Sequence, residues 1–496
     1  MGKRIGDYKF WFITGSQHLY GEDTIRQVRE HAEQMTAFWQ KQAGWPADIE
    51  FHGVLTTSGE ISRVLAEADF DPDCAGVISW MHTFSPSKMW ISGLSRLRKP
   101  YLHLNTQFNR EIPWESIDMD FMNLNQSAHG DREHGFIGAR LRIPRKLIAG
   151  FWQDDDVMRR IEDFMRAAAG VQIGYQLRCA RFGDNMRDVA VTEGDKVEAE
   201  RILGWSVNYY PLGDLVDYVK SASDGDVSAV MDQYHERYDI NTDQLEAVRY
   251  QARLESGLRR FMEEGHFSAF TSTFEDLHGL EQLEGLAAQN MMADGYGYGA
   301  EGDWKTACLS HVMKRMAEGK PGGTSFMEDY TYHLEHGREL ILGAHMLEVC
   351  PSVAAGRPAI EVHPLGIGNR QPPARLVFDG TEGDAVLASL IDMGGRMRLI
   401  VNDCQAVTPL KPMPKLPVAR VMWKPMPDLQ TSAEAWMLCG GAHHTVMSYA
   451  LDAGHLRDYA EFIGLEFVHI RQNTDLQELK KELLWNEVAY RLNLQP

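Results

Sequence analysis

Basic charge is in short supply in this chain of 496 residues, where 50 lysines and arginines stand against 70 aspartates and glutamates for a formal net charge of −20. Nucleic acid is held by basic side chains that displace its counterions, so this balance excludes it as a partner. Cysteine is sparse as well: Cys74, Cys179, Cys308, Cys350, Cys404 and Cys439 are scattered, with no Cys-x-x-Cys pair. That excludes a disulfide or zinc framework and predicts reduced, mostly buried thiols. No apolar run approaches the ~18 residues that cross a bilayer, so no membrane role is expected. The chain opens on MGKRIGDYKFWFITG, whose apolar run FWFI is far short of the ~7–15 residues of a secretory h-region. No signal peptide is expected, and a cytoplasmic location is. The sequon Asn125-Gln126-Ser127 is then without consequence. No GxGxxG follows the first strand, which leaves a dinucleotide-binding fold unsupported. Internal repeats and low-complexity tracts are lacking too.

What is present is ordinary globular material, 44% hydrophobic and 24% charged. A single core stops growing near ~250–300 residues, so two or three domains are expected. The first third alternates. Strands are predicted at Tyr8–Ile13, Ile49–Val54, Ala75–Trp80 and Tyr101–Asn105, and helices at Glu22–Trp39, from Ser58 behind a Thr57–Glu60 capping box, and at Ser87–Leu97. This is the rhythm of βαβ units and a parallel sheet, whose ligands sit at the carboxyl ends of the strands. Loops rich in polar and aromatic groups are expected there, at Gln17–Tyr20, Met81–Ser85 and Asn125–Asp131. A second α/β domain is predicted from 176 to 322, with an acidic helical region over Val227–Glu263. From 323 to 496 the period changes to 2, and short segments such as Thr324–Tyr332 and Leu340–Leu347 predict a β-barrel or sandwich closed by terminal helices. Residues 1–175 form the first domain of this scheme.

Four places hold ionisable residues where their chemistry is out of keeping. Glu301 lies between Gly299 and Gly302, just before Asp303, a plausible N-cap. Glu328 lies in FMEDYTY, where alternation puts Phe326, Glu328, Tyr330 and Tyr332 on one strand face and Asp329 on the other. His345 follows an apolar run, and His443 and His444 follow Gly440 and Gly441 after an apolar segment read as a strand. Taken singly, each has an ordinary explanation: a glutamate at a helix dipole, a paired carboxylate, a hydrogen-bonded core histidine. Taken together, two carboxylates and two imidazoles in separate segments point to one divalent cation. Mixed oxygen and nitrogen ligands suit Mn2+ or Co2+, and an octahedral site would keep two positions for adjacent substrate oxygens. The residues alone therefore predict metal-assisted chemistry on a polyhydroxylated small molecule.

The motifs ITGSQHLYG, MHTFSPSKMWI, NQSAHGDREHGF, GYGYGAEGDWKTA, GGTSFMEDYTYH, LGAHMLEVCP and LCGGAHHTV resemble those of the L-arabinose isomerase family, in order and along the whole chain. The resemblance implies two Rossmann-like parallel-sheet α/β domains followed by a mainly-β barrel domain. It implies an aldose–ketose isomerase that converts L-arabinose to L-ribulose through a cis-enediol in arabinose catabolism, and D-galactose to D-tagatose. One Mn2+ per subunit is implied, with Co2+ or Mg2+ as substitutes. Its metal ligands fall on Glu301, Glu328, His345 and His444, a choice over His443 that spacing does not settle; the two glutamates are the acid–base pair. Substrate contacts fall on Gln17, Leu19, Phe84, Met186, Phe274, Ile367 and His443. His129 matches a histidine that reaches a neighbouring subunit's site, which implies a homo-oligomer, a hexamer built from trimers. The alternatives are an L-fucose-isomerase-like activity on another aldose, a non-catalytic sugar-binding protein, and, weakened by the missing phosphate loop, a nicotinamide-dependent oxidoreductase.

Overall fold

The computed structural model describes residues 2–42, 44–367 and 369–492. Residues Lys3–Gln172 and Arg457–Gly464 make one compact unit; most of the remainder, Ile173–Leu456 and Leu465–Gln495, makes another. The N-terminal unit is built on a five-stranded parallel sheet, in spatial order Asp48–Leu55, Lys9–Gly15, Cys74–Met81, Tyr101–Asn105 and Lys146–Ala149. All eight residues of the central strand Cys74–Met81 are buried, because helices cover both faces of such a sheet and alternation is lost. Helix Ser58–Phe70 starts at the predicted capping box, where Thr57 Oγ1 accepts from the Glu60 amide at 3.2 Å and Glu60 Oε2 accepts from the Thr57 amide at 3.1 Å. The helix predicted over Ser87–Leu97 is shorter. A 3-10 turn at Ser87–Trp90 runs into one α turn, Ile91–Leu94, and Ser95 Oγ donates back to the Ile91 carbonyl at 2.7 Å. Residues 127–131, expected in a loop, open the helix Ser127–Arg140. Its start is docked on the end of the central strand: Ser127 Oγ donates to the Met81 carbonyl (3.0 Å) and the Gln126 amide to that of His82 (2.8 Å).

The second unit carries a four-stranded parallel sheet, in order Gly297–Gly299, Ala269–Ser272, Arg178–Phe182 and Ser206–Tyr210. The region Val227–Glu263 is two helices, Asp224–Arg237 and Leu245–Glu264. They are separated by Asp239–Ile240, which leaves to pair with Ala359–Val362. Beyond residue 323 the strands Gly383–Asp392, His444–Ser448, Thr324–His333, Leu340–Ala344, Arg420–Pro425 and Met397–Val407 pair in that order, and the last pairs again with the first. The ring closes, so this part is a barrel and not a sandwich, with Glu466–Ile470 added in parallel beside Met397–Val407. Closure removes the unpaired edges that an open sheet would expose. Along Thr324–His333 the alternation sets the site: Met327 turns to one core with Trp423 and Met447, while Phe326 turns to the other and meets Tyr298 of the parallel sheet edge-on at 5.5 Å. Glu328 has the parity of Phe326.

Two local expectations are corrected. The apolar run Ala435–Leu438 is not a strand but lies in the helix Leu429–Cys439, capped by Asp428 at its start and by Gly440 in the left-handed conformation at its end. The aromatic face expected for Phe326, Glu328, Tyr330 and Tyr332 is interrupted. The register shifts between Asp329 and Thr331, and Tyr330 and Tyr332 stand about half exposed.

Candidate active site

Strand register assembles three of the ionisable residues. Glu328 pairs with His444 on one neighbouring strand and with Ala344 on the other, and His345 is the next residue. Residues directly opposite in an antiparallel pair hold their Cβ atoms about 5 Å apart, so a carboxylate and an imidazole meet without any long side-chain reach. Glu328 Oε2 lies 3.9 Å from His345 Nε2. Phe326 presents its ring to both His345 and His444, at 5.2 Å between centroids in each case, forming an apolar floor.

Glu301 arrives from the parallel sheet. The chain leaves strand Gly297–Gly299, turns through Glu301 and Gly302, both at positive φ (60° and 76°), and enters helix Trp304–Met316. Positive φ is rare for a residue with a side chain and is tolerated where surroundings impose it. Here the Glu301 carbonyl accepts from the Met186 amide at 2.9 Å and the Gly302 amide donates to Ser272 at 3.0 Å. Asp303 is the N-cap, its side chain accepting from the Thr306 amide. The result is a Glu301 Oε2 at 3.8 Å from His444 Nε2 and 3.6 Å from His443 Nε2.

Both inner histidines are held by their far nitrogens. His345 Nδ1 is hydrogen-bonded to Glu348, which also accepts from the Leu347 amide at 3.1 Å. His444 Nδ1 meets Asp303 Oδ2 at 3.2 Å, and Asp303 in turn faces Lys305 Nζ at 3.2 Å. The Nε2 atoms of His345 and His444 are buried with no hydrogen-bond partner. Ligand atoms of Glu301, His345 and His444 lie within 4.8 Å of one another, and so do those of Glu328, His443 and His444. An imidazole whose Nδ1 is fixed by a carboxylate and whose Nε2 is unpaired and aimed at carboxylates could serve as a ligand of a divalent cation. A bare cluster of this kind also perturbs its own protons. Burial alone would depress the His345 imidazole, but the charge and hydrogen bond of Glu348, with Glu328 and Glu301, push it up to about 9. Burial raises the Glu301 carboxyl, and the hydrogen bond from His443 with the charges of His444 and His345 overcomes this to hold it below the usual range. Asp303, buried yet facing Lys305 and His444, is held well below its usual value.

The second unit thus brings together Glu301, Glu328, His345, His443 and His444. Phe274 lines the same cavity as Glu301 and His345, and Met186 is tied to the Glu301 carbonyl. Ile367 lies 40% exposed on the loop after Ala359–Val362. Gln17, Leu19, Phe84 and His129 belong to the N-terminal unit, where Gln17 precedes the turn His18–Tyr20, Leu19 is exposed, and His129 stacks on Phe84 at 4.7 Å. Sequence reading missed the anchors. Asp303 was legible only as a helix cap, and Glu348, inside LEVC, gave no signal beyond its place three residues after His345.

Ionisable groups with shifted protons converging on unpaired imidazole nitrogens are frequent at reacting centres. Family models described as the L-arabinose isomerase N-terminal, central and C-terminal domains match residues 4–175, 178–319 and 323–466. The L-arabinose isomerases of Geobacillus kaustophilus and Geobacillus stearothermophilus are each 59% identical to it over 98% of this chain and 98% of their own. That of Thermotoga petrophila is 55% identical over 98% of this chain and 99% of its own. The chain belongs to the L-arabinose isomerase family and to the isomerase class of enzymes.

Proposed function

We propose that this enzyme interconverts L-arabinose and L-ribulose in arabinose catabolism, and also D-galactose and D-tagatose, with one Mn2+ per subunit held by Glu301, Glu328, His345 and His444. The observation that carries the reading is the pair of buried, unpaired Nε2 atoms of His345 and His444 facing the two glutamates. His444 is preferred to His443 as ligand because it is fully buried and its other nitrogen is anchored on Asp303; His443, with 36% of its side chain exposed, is left to face sugar. A cation held by Glu301, Glu328, His345 and His444 would supply Lewis acidity at the sugar's oxygens, lowering the cost of charge there as the C–H bond breaks. One of the two glutamates removes the proton from C2 and returns it to C1. The other takes the O2 proton and delivers it to O1, so that a cis-enediol separates aldose from ketose and no proton is gained or lost. A carboxylate is a weak base for a carbon acid, so these transfers depend on the charge stabilisation at the oxygens. Gln17, Leu19, Phe84, Met186, Phe274 and Ile367 contact the sugar in this reading, and His129 does so in a neighbouring subunit of a trimer-based hexamer. Co2+ and Mg2+ are expected to substitute for Mn2+, and the enzyme to act in the cytoplasm.

The test is direct. Purified protein loaded with Mn2+ is incubated with L-arabinose and assayed for ketose; L-ribulose is expected, stripping with EDTA is expected to abolish it, and Mn2+ to restore it. Sugar binding without any ketose would overturn the reading in favour of a sugar-binding protein.

A further inference from the structure

Beside His345 lies a cavity of about 20 Å3 lined by Ser272, Glu284, Tyr298, Glu301, His345 and Glu348 among apolar neighbours. Its volume admits one water molecule, which needs two to four polar partners. Glu284 is the residue whose presence there has no explanation so far. It is 6% exposed, at the N-terminal end of helix Gly285–Ala293 and beside the apolar cluster of Leu277, Leu283 and Leu347. Ser272 Oγ donates to its Oε1, while its Oε2 is buried without a partner. A carboxyl is not kept in an apolar wall unless something uses it. We propose that Glu284 is a positioning residue for the cation centre: with Ser272, and through one water in this cavity, it holds the Glu348 carboxylate that orients His345.

Glu348 already accepts from His345 and the Leu347 amide, and Tyr298, whose hydroxyl is pushed well above its usual range by burial and by Glu348, is its further partner. Burial and a neighbouring carboxylate both oppose ionisation of a carboxyl. Burial, opposed by the Ser272 hydrogen bond and reinforced by the charge of Glu348, pushes Glu284 up to about 7. Its unpaired Oε2 gives a water in this cavity a polar partner beside the Ser272 and Tyr298 hydroxyls, and a Glu348 so fixed keeps the imidazole aimed with Nε2 toward Glu301 and Glu328.

This inference rests on the cation reading, so its test measures the cation first. Mn2+ binding to the full-length protein is followed by calorimetry and by the paramagnetic resonance signal of free Mn2+, alongside ketose formation at saturating Mn2+. Glu284→Ala is expected to weaken Mn2+ about 10–100-fold, the usual cost of losing a group that orients a ligand, with a smaller loss of turnover once Mn2+ saturates. Glu284→Gln, neutral and still polar, is expected to stay within about threefold of wild type. Ser272→Ala, which leaves the fold less disturbed, is expected to weaken Mn2+ in the same direction. A wild type that binds Mn2+ while Glu284→Ala, or Ser272→Ala if the first does not fold, binds it equally well overturns this inference alone. A wild type that binds none overturns the cation reading and this inference with it.

Discussion

Glu301 and Glu328 reach the same centre by opposite means. Glu328 sits at an ordinary strand position and owes its place to register, opposite His444. Glu301 owes its place to a backbone conformation that costs an L-residue roughly 1–2 kcal/mol, held by hydrogen bonds to Met186 and by the Gly302 link to Ser272. Replacing either carboxylate by the isosteric amide leaves shape intact and removes proton transfer, so Glu301→Gln and Glu328→Gln are each expected to lower kcat by about 10²–10⁴-fold. Steady-state ketose formation at saturating Mn2+ measures this, with circular dichroism confirming the fold. A variant retaining most of its turnover would remove that glutamate from the acid–base pair. At this scale the sequence was informative about the residues that face inward and silent about those that hold them. Carboxylates and imidazoles stand out when they interrupt an apolar pattern, as Glu328 and His345 do. Glu348 and Asp303 do not stand out, because a capping aspartate or a glutamate in a loop is common, and only the folded chain brings each to an imidazole nitrogen.

At the scale of the element, the short strand Gly297–Gly299 and the helix Trp304–Met316 that follows it are pressed together. A Cβ on Gly299 would lie 2.4 Å from the Asp303 carbonyl and 2.7 Å from the Ala307 amide, both backbone atoms that cannot move alone. Gly299→Ala must therefore shift the helix, and with it the Glu301 turn and the Asp303 cap. The expected cost is about 1–3 kcal/mol of stability together with a fall in kcat. Gly213→Ala, in helix Leu212–Lys220 with open space at its Cβ, is the control and is expected to be neutral or to stabilise by up to about 1 kcal/mol. Urea unfolding of both variants decides between them; equal stabilities would show that the close approach at Gly299 is not felt. The glycines of GYGYG are what such a close approach requires, and nothing in the run marks the strand it partly is. Elsewhere local signals were outvoted or overlooked. Ala435–Leu438 reads as a strand by its apolar run alone, yet Asp428 and Gly440 bracket a helix with both of its ends marked. Gly383–Asp392 escaped because seven of its residues in a row are buried, and a strand covered on both faces loses the alternation that identifies it.

At the scale of the molecule, the parallel-sheet architecture of the first third and the change to short β segments in the last third were both readable from period, while the choice of barrel over sandwich was not, since ring closure depends on which strands find each other. The assignment of site residues raises a question of the same long-range kind. Glu301, Glu328, His345 and His444 come from one compact unit, whereas Gln17, Leu19, Phe84 and His129 come from the other. His129 projects from the first turn of helix Ser127–Arg140, exposed and stacked on Phe84. In a head-to-tail ring each subunit would offer this histidine to the next subunit's cation centre. That arrangement has a consequence no single chain can imitate. His129→Ala and Glu301→Gln proteins are each expected to be nearly inactive, yet subunits unfolded together and reassembled at equal amounts should regain about a quarter of wild-type activity, because each site draws His129 and Glu301 independently from two chains. Each variant refolded alone should regain none. If the mixture is as inactive as its parts, and size-exclusion chromatography shows that mixed oligomers formed, His129 serves its own subunit and the sites are not shared.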